Sequence, residues 1–124
     1  MIEHTVSFRV RYAETDQMGI AHHSNYLIWF EMARVELMSS IDLSYAESEE
    51  NGFRMPVLEA YVQYKKAVSF DQELEIIASM NQKPRAKLKY NYRIFDEKNL
   101  ICDGFTVHGF MNLNNKAIKP PKLF

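Results

Sequence analysis

Apolar and polar residues alternate near the start of the chain, with Val6, Phe8 and Val10 set against Thr5, Ser7, Arg9 and Arg11. A period of two over residues 5–11 predicts a half-buried β-strand. The alternation stops at residues 12–24, where Tyr12, Glu14, Thr15, Asp16, Gly19, His22, His23 and Ser24 gather. A polar loop between regular elements is a place for function. The period then changes: Tyr26, Phe30, Ala33, Leu37 and Ile41 recur every three or four residues, widened by Leu27, Val35 and Met38. With Ser24 and Asn25 as capping residues, this spacing predicts a helix of about 17 residues, about 25 Å long. Its broad apolar surface suits a central helix packed on a sheet. Residues 43–52 read as a short acidic helix closed by Gly52.

A period of two returns for the rest of the chain. Leu58, Ala60, Val62 and Tyr64 alternate with polar neighbours, then Leu74, Ile76, Ala78 and Met80. Ala86, Leu88, Tyr90, Tyr92 and Ile94 follow, and last the run from Ile101 to Leu113. Turns are expected near Ser69–Asp71, Gln82–Pro84 and Asp96–Asn99. Four successive strands after one helix predict an antiparallel meander. The expected fold is α+β, one long helix wrapped by a curved five-stranded antiparallel sheet.

The 124 residues suit one domain, 1–124, with 47% apolar and 25% charged side chains. Fifteen Lys and Arg against sixteen Asp and Glu lack the basic excess of a general nucleic-acid binder. A single cysteine, Cys102, excludes an intrachain disulfide and reads as a small buried residue. The N-terminus lacks the pattern of a signal peptide, and no run approaches the roughly 18 apolar residues of a membrane span. A soluble cytoplasmic protein is expected. Aromatics at 13% and seven Met exceed what one small domain encloses comfortably, so part of this surface is expected to close on a second copy.

The dense loop carries a pattern. Arg9, Val10, Thr15, Asp16, Gly19, Ile20, His23 and Tyr26 stand at the spacing of the active-site signature of hot-dog acyl-CoA thioesterases of the 4-hydroxybenzoyl-CoA thioesterase type, which this chain resembles. The departure is Ala21, where that pattern has Val. Phe30-Glu31-Met32-Ala33-Arg34 resembles the family's helix segment, and Tyr64 to Leu74 its strand-turn-strand, with Lys66 where Pro commonly stands. Lys119-Pro120-Pro121 resembles its basic, Pro-bearing tail. The resemblance spans nearly the whole chain and implies a hot-dog fold, hydrolysis of an acyl-CoA to free acid and CoA, a homodimer or a tetramer (a dimer of dimers), and a site built across the dimer interface. It implies no cofactor.

Thioester hydrolysis needs an attacking group, donors for the developing oxyanion and a seat for CoA. Asp16 is an acceptor-only carboxylate that can attack the carbonyl or take a proton from water. Gly19 allows close approach of backbone to a ligand, although an ordinary turn uses glycine too. The helix start near Asn25 offers free backbone N–H groups and a positive dipole end. His23 and Tyr12 are catalytic candidates beside them. Met18, Trp29, Phe30 and Met32 are candidates for an acyl pocket, though aromatics at helical spacing also build plain cores. Lys65, Lys66, Lys83, Arg85 and Lys87 are candidates for the CoA phosphates, or a solvated strand face. Glu31 and Arg34, three apart on the helix, can pair.

His22 and His23 suit a metal poorly, because adjacent His side chains diverge on most backbones. Ser24 lacks a nucleophile-elbow context. A hydratase or dehydratase on acyl thioesters and a non-catalytic acyl-CoA-binding module are the rival readings. Acyl length, aromatic against aliphatic acyl groups, and CoA against acyl-carrier protein stay open at this level.

Overall fold

The computed structural model describes residues 1–81 and 83–122. β1 spans Ile2–Arg9, followed by a 3-10 turn at Tyr12–Glu14, the long helix α1 at Asn25–Ser40 and the short α2 at Tyr45–Glu50. Strands β2 at Phe53–Arg54, β3 at Val57–Tyr64, β4 at Glu73–Met80, β5 at Leu88–Asp96, β6 at Asn99–His108 and β7 at Met111–Asn112 complete it. Five long strands form one antiparallel sheet in the order β1-β4-β5-β6-β3, while β2 and β7 make a small pair. The expected helix-in-sheet architecture is present. The expected turns at Ser69–Asp71 and Asp96–Asn99 are also in place; Gln82, in the third, lies outside the described residues.

The four-strand meander is corrected. Only β4, β5 and β6 run as consecutive neighbours; β3 crosses to the far edge and pairs with β6, and β1 takes the place beside β4. The segment after β3 is pinned elsewhere: Lys65 and Lys66 donate their amides to the Ile101 carbonyl, and Ala21 donates to Val68. The chain is thereby drawn across the mouth of the sheet instead of turning back on β3.

Packing follows from the two periods. Leu74, Ile76, Ala78, Leu88, Tyr90, Tyr92 and Ile94 point inward from the sheet and meet Tyr26, Phe30, Ala33 and Leu37 on α1, all buried. Phe30 stacks on Tyr92 with ring centroids 4.2 Å apart and planes within 6°. Phe30 comes this close because Gly104, on β6, has no side chain: a Cβ there would meet the Tyr61 carbonyl oxygen and the Phe30 ring. Cys102 is buried and free, as expected, and burial, then Asp103, push its thiol up to about 12.

Two residues predicted to widen the buried stripe do not. Leu27 and Val35 are exposed, as is Ile28. Apolar residues therefore extend beyond the buried face of α1. β3 shows the same surplus: Val57, Leu58, Tyr61 and Tyr64 are all exposed on the sheet's edge.

Candidate active site

The loop between β1 and α1 is folded by its own backbone. Thr15 and Ala21 form an antiparallel bridge, Asp16 donates its amide to Ile20, and Gly19 donates to the Asp16 carbonyl. Gly19 sits at φ +79°, the left-handed region where a Cβ is costly, so this tight return explains the glycine. Asp16 is held at the start of that return. Its Oδ1 accepts the Met18 amide at 2.8 Å. Oδ2 accepts no protein donor among the described residues, so one carboxylate oxygen remains free for chemistry.

Glu14 anchors the loop from beneath. It is 4% exposed. Its carboxylate accepts the Trp29 indole N–H at 2.7 Å and the Arg11 amide at 2.7 Å, and Arg11's guanidinium lies 3.4 Å away. Trp29 is thus buried in the core, lines neither cleft beside Asp16, and ties α1 to the loop fifteen residues earlier. Nothing in the spacing of Glu14 pointed to this role; an acid beside Thr-Asp carries no signal of burial.

Two clefts meet at Asp16. One, about 320 Å³, is lined by Asp16, Met18, His23, Tyr64, Lys65 and Lys66, among others. The second is lined by Tyr12, Asp16, Gly19 and Phe70, with the Tyr12 ring edge-on to Phe70 at 5.6 Å. The fold therefore gathers seven of the sequence-derived candidates, Asp16, His23, Tyr12, Met18, Gly19, Lys65 and Lys66, around one carboxylate. Lys83 and Arg85 are not brought there within a chain. They lie in the β4–β5 connection, whereas the loop packs beside the opposite end of β4.

The helix start differs in detail from the expectation. Asn25 and Tyr26 donate their amides to the carbonyls of His22 and His23, and Ser24 makes no side-chain cap. The Ser24 amide leans on His22 Nδ1 at 3.3 Å. The His23 amide donates to no acceptor among the described residues. Its carbonyl accepts the Tyr64 phenol O–H at 3.0 Å, and the ring stands edge-on to Tyr64. The two neighbouring imidazoles do not diverge: their centroids are 4.2 Å apart. No group of three His, Cys, Asp or Glu suited to a metal occurs among the described residues. Tyr26, behind the cleft, is pushed up to about 12 by burial, then by Cys102 and Tyr64, and stays a neutral phenol. A cleft lined by Asp16, His23 and two lysines holds groups that can deprotonate or attack, stabilise an anion, and hold phosphate.

Comparison with known proteins agrees. The profile of the thioesterase-like superfamily matches residues 10–123. A DHNA-CoA thioesterase from Staphylococcus aureus superposes with a TM-score of 0.88 at 35% identity, over 96% of this chain and 81% of that one. A crystallised protein from Aquifex aeolicus gives a TM-score of 0.90 at 32% identity, over 96% and 94%. The acyl-CoA thioester hydrolase YbgC of Escherichia coli is 26% identical over 95 residues, 77% of this chain and 71% of that protein. No helix among the described residues is long and apolar enough to cross a membrane. The chain belongs to the thioesterase-like superfamily and is a thioester hydrolase of the hot-dog fold.

Proposed function

We propose that this protein hydrolyses acyl-CoA thioesters in the cleft around Asp16, working as a homodimer. The observation that carries the reading is Asp16 Oδ2, free of protein donors among the described residues, in a cleft that His23 also lines. Asp16 takes a proton from water as the water oxygen attacks the thioester carbon. The carbonyl oxygen gains charge opposite the His23 amide, at the positive end of α1. The C–S bond then breaks, the CoA sulfur takes up a proton, and the acid departs. One well-placed oxyanion donor contributes about 3–4 kcal/mol to such a barrier. Lys65 and Lys66 meet the CoA phosphates, and the relatives named for CoA thioesters support CoA over acyl-carrier protein. Tyr12 and Gly19 border the approach, and the His23 side chain orients the thioester.

The dimer forms through β3. Its sequence Val-Leu-Glu-Ala-Tyr-Val-Gln-Tyr has a single charge, no proline, and one unpaired edge among the described residues. Such an edge is a template for another strand unless it is covered. A second β3 fits it by two-fold symmetry, with the dyad perpendicular to the sheet, so that both α1 helices share a face and cover Leu27, Ile28 and Val35. The far end of one sheet then approaches the other chain's cleft, which brings Lys83 and Arg85 within reach of bound CoA.

A thiol-release assay over short, long and aromatic acyl-CoAs, paired with sedimentation at micromolar protein, tests this. Free thiol and a dimer or larger assembly are expected. A hydratase leaves the thioester intact, and a binding module releases no thiol; either result, or a 14.6 kDa monomer, contradicts the reading.

A further inference from the structure

A further cavity, of about 120 Å³, lies at the other end of α1, apart from Asp16. Met38, Leu43, Phe53 and Tyr90 give it apolar walls, and two guanidinium groups, Arg34 and Arg54, reach it; no Asp or Glu lines it. Arg54 is paired with Glu49 at 3.4 Å. Arg34 is poorly compensated. Its side chain is only 15% exposed, while its carboxylate partner, Glu31, is 66% exposed and 3.7 Å away. A largely buried cation in apolar surroundings favours an anion beside it.

Behind Arg34, whose guanidinium also hydrogen-bonds the Tyr92 phenol, the buried polar groups pair among themselves. His108 Nδ1 lies 3.1 Å from the Met55 carbonyl, which can only accept, so Nδ1 donates and Nε2 accepts from Thr106 Oγ1 at 2.9 Å. Thr106 in turn accepts from the Tyr92 phenol at 2.6 Å. Every proton in this line is used, and the imidazole is neutral. Arg34 spends one donor on the Tyr92 phenol and, with five N–H groups, is the lining residue that keeps others to offer.

Symmetry then says what enters. Tyr64, at the end of β3, touches His23 in its own chain. Antiparallel pairing of two β3 edges sets the end of one strand beside the start of the other, so one chain's His23 comes to lie by Val57 of its mate. Met55, two residues before Val57, and His108, the β6 partner of Val57, both line this cavity. Resting on the thioesterase and dimer reading above, we infer that this cavity seats the anionic far end of a short acyl group whose thioester lies in the other subunit's cleft, and that Arg34 selects it. A cavity of about 150 Å³ admits benzene, so this one holds a chain of about five or six heavy atoms.

The test compares kcat/KM for hexanoyl-CoA and adipyl-CoA, matched in length and differing in the distal carboxylate. In Arg34→Met the adipyl-to-hexanoyl ratio falls about tenfold or more from the wild-type value, the loss of one charge-assisted hydrogen bond. An unchanged ratio overturns the inference. Doubly tagged heterodimers of Asp16→Asn with Arg34→Met then separate the chains: their one intact Asp16 faces the wild-type Arg34 only across the interface. The wild-type ratio is expected; the Arg34→Met ratio, or failure to form heterodimers, overturns it. Should Arg34→Met not fold, Arg54→Met at the rim replaces it in both experiments, with a fall in the same direction expected and no fall contradicting. A wild type that hydrolyses neither ester removes the thioesterase reading and this subsite with it, whereas hydrolysis indifferent to Arg34 and Arg54 removes the subsite alone.

Discussion

Tyr64 donates its phenol O–H to the carbonyl oxygen of His23 at 3.0 Å, across 41 positions of sequence. This bond joins the end of the edge strand to the turn that presents the His23 amide. Strand pairing and site geometry are therefore one structure, and disturbing the edge reaches the cleft. Tyr64→Phe removes the bond and little else, since the ring stays against Tyr26 at 4.8 Å. The expected cost is about 1 kcal/mol in urea unfolding, with kcat lowered more than KM is raised. An unchanged kcat shows that the turn holds its position without Tyr64.

Gly104, within β6, and Gly109, just past its end, make a matched pair of substitutions beside β3. A Cβ on Gly104 meets backbone oxygen and the Phe30 ring, neither of which can yield cheaply; a Cβ on Gly109 meets the Leu58 side chain at 3.3 Å, which can move. Gly104→Ala is expected to destabilise by about 3 kcal/mol, the upper range for overpacking, and Gly109→Ala by less than about 1 kcal/mol. Chemical denaturation of both checks this; equal losses contradict it.

His108 gives stability a pH dependence. Burial, with Arg34 adding to it and the Met55 carbonyl opposing, lowers the imidazole from 6.5 to about 4. The unfolded chain takes up a proton near pH 6.5 that the folded chain refuses until about pH 4. The stabilisation is complete above 6.5 and is lost as pH falls toward 4, on the order of 3 kcal/mol over that window. Urea unfolding at pH 7 and pH 4.5 should show this loss in the wild type and a smaller one in His108→Asn. Equal losses would assign the effect to other groups.

Much of the candidate site is legible in the sequence because its residues are close together: Asp16, Gly19 and His23 fall within one loop, and neighbouring residues leave a readable spacing. The long helix and the strands were legible from their periods. Pairing was not. That β3 leaves β4 for β6 depends on where Lys65 and Val68 are tied, and alternation within a strand says nothing of its neighbour. Trp29 resembled a pocket residue because its partner, Glu14, gives no sign of being buried. Leu27 and Val35 continue the helical stripe past the buried face, because spacing alone does not say where the sheet's cover ends. The cavity at Arg34 was invisible, since His108 reaches it from 74 positions away through the register of β6.

Asp16→Asn tests the central claim most directly, read as kcat and KM on an acyl-CoA that the wild type hydrolyses. Asn keeps the side-chain oxygen that accepts the Met18 amide, so the turn should survive and circular dichroism should be unchanged. It can neither attack the thioester nor serve as a base at neutral pH. The account predicts a fall in kcat of about a hundredfold or more, with KM little altered. Turnover by Asp16→Asn comparable to that of the wild type would contradict it.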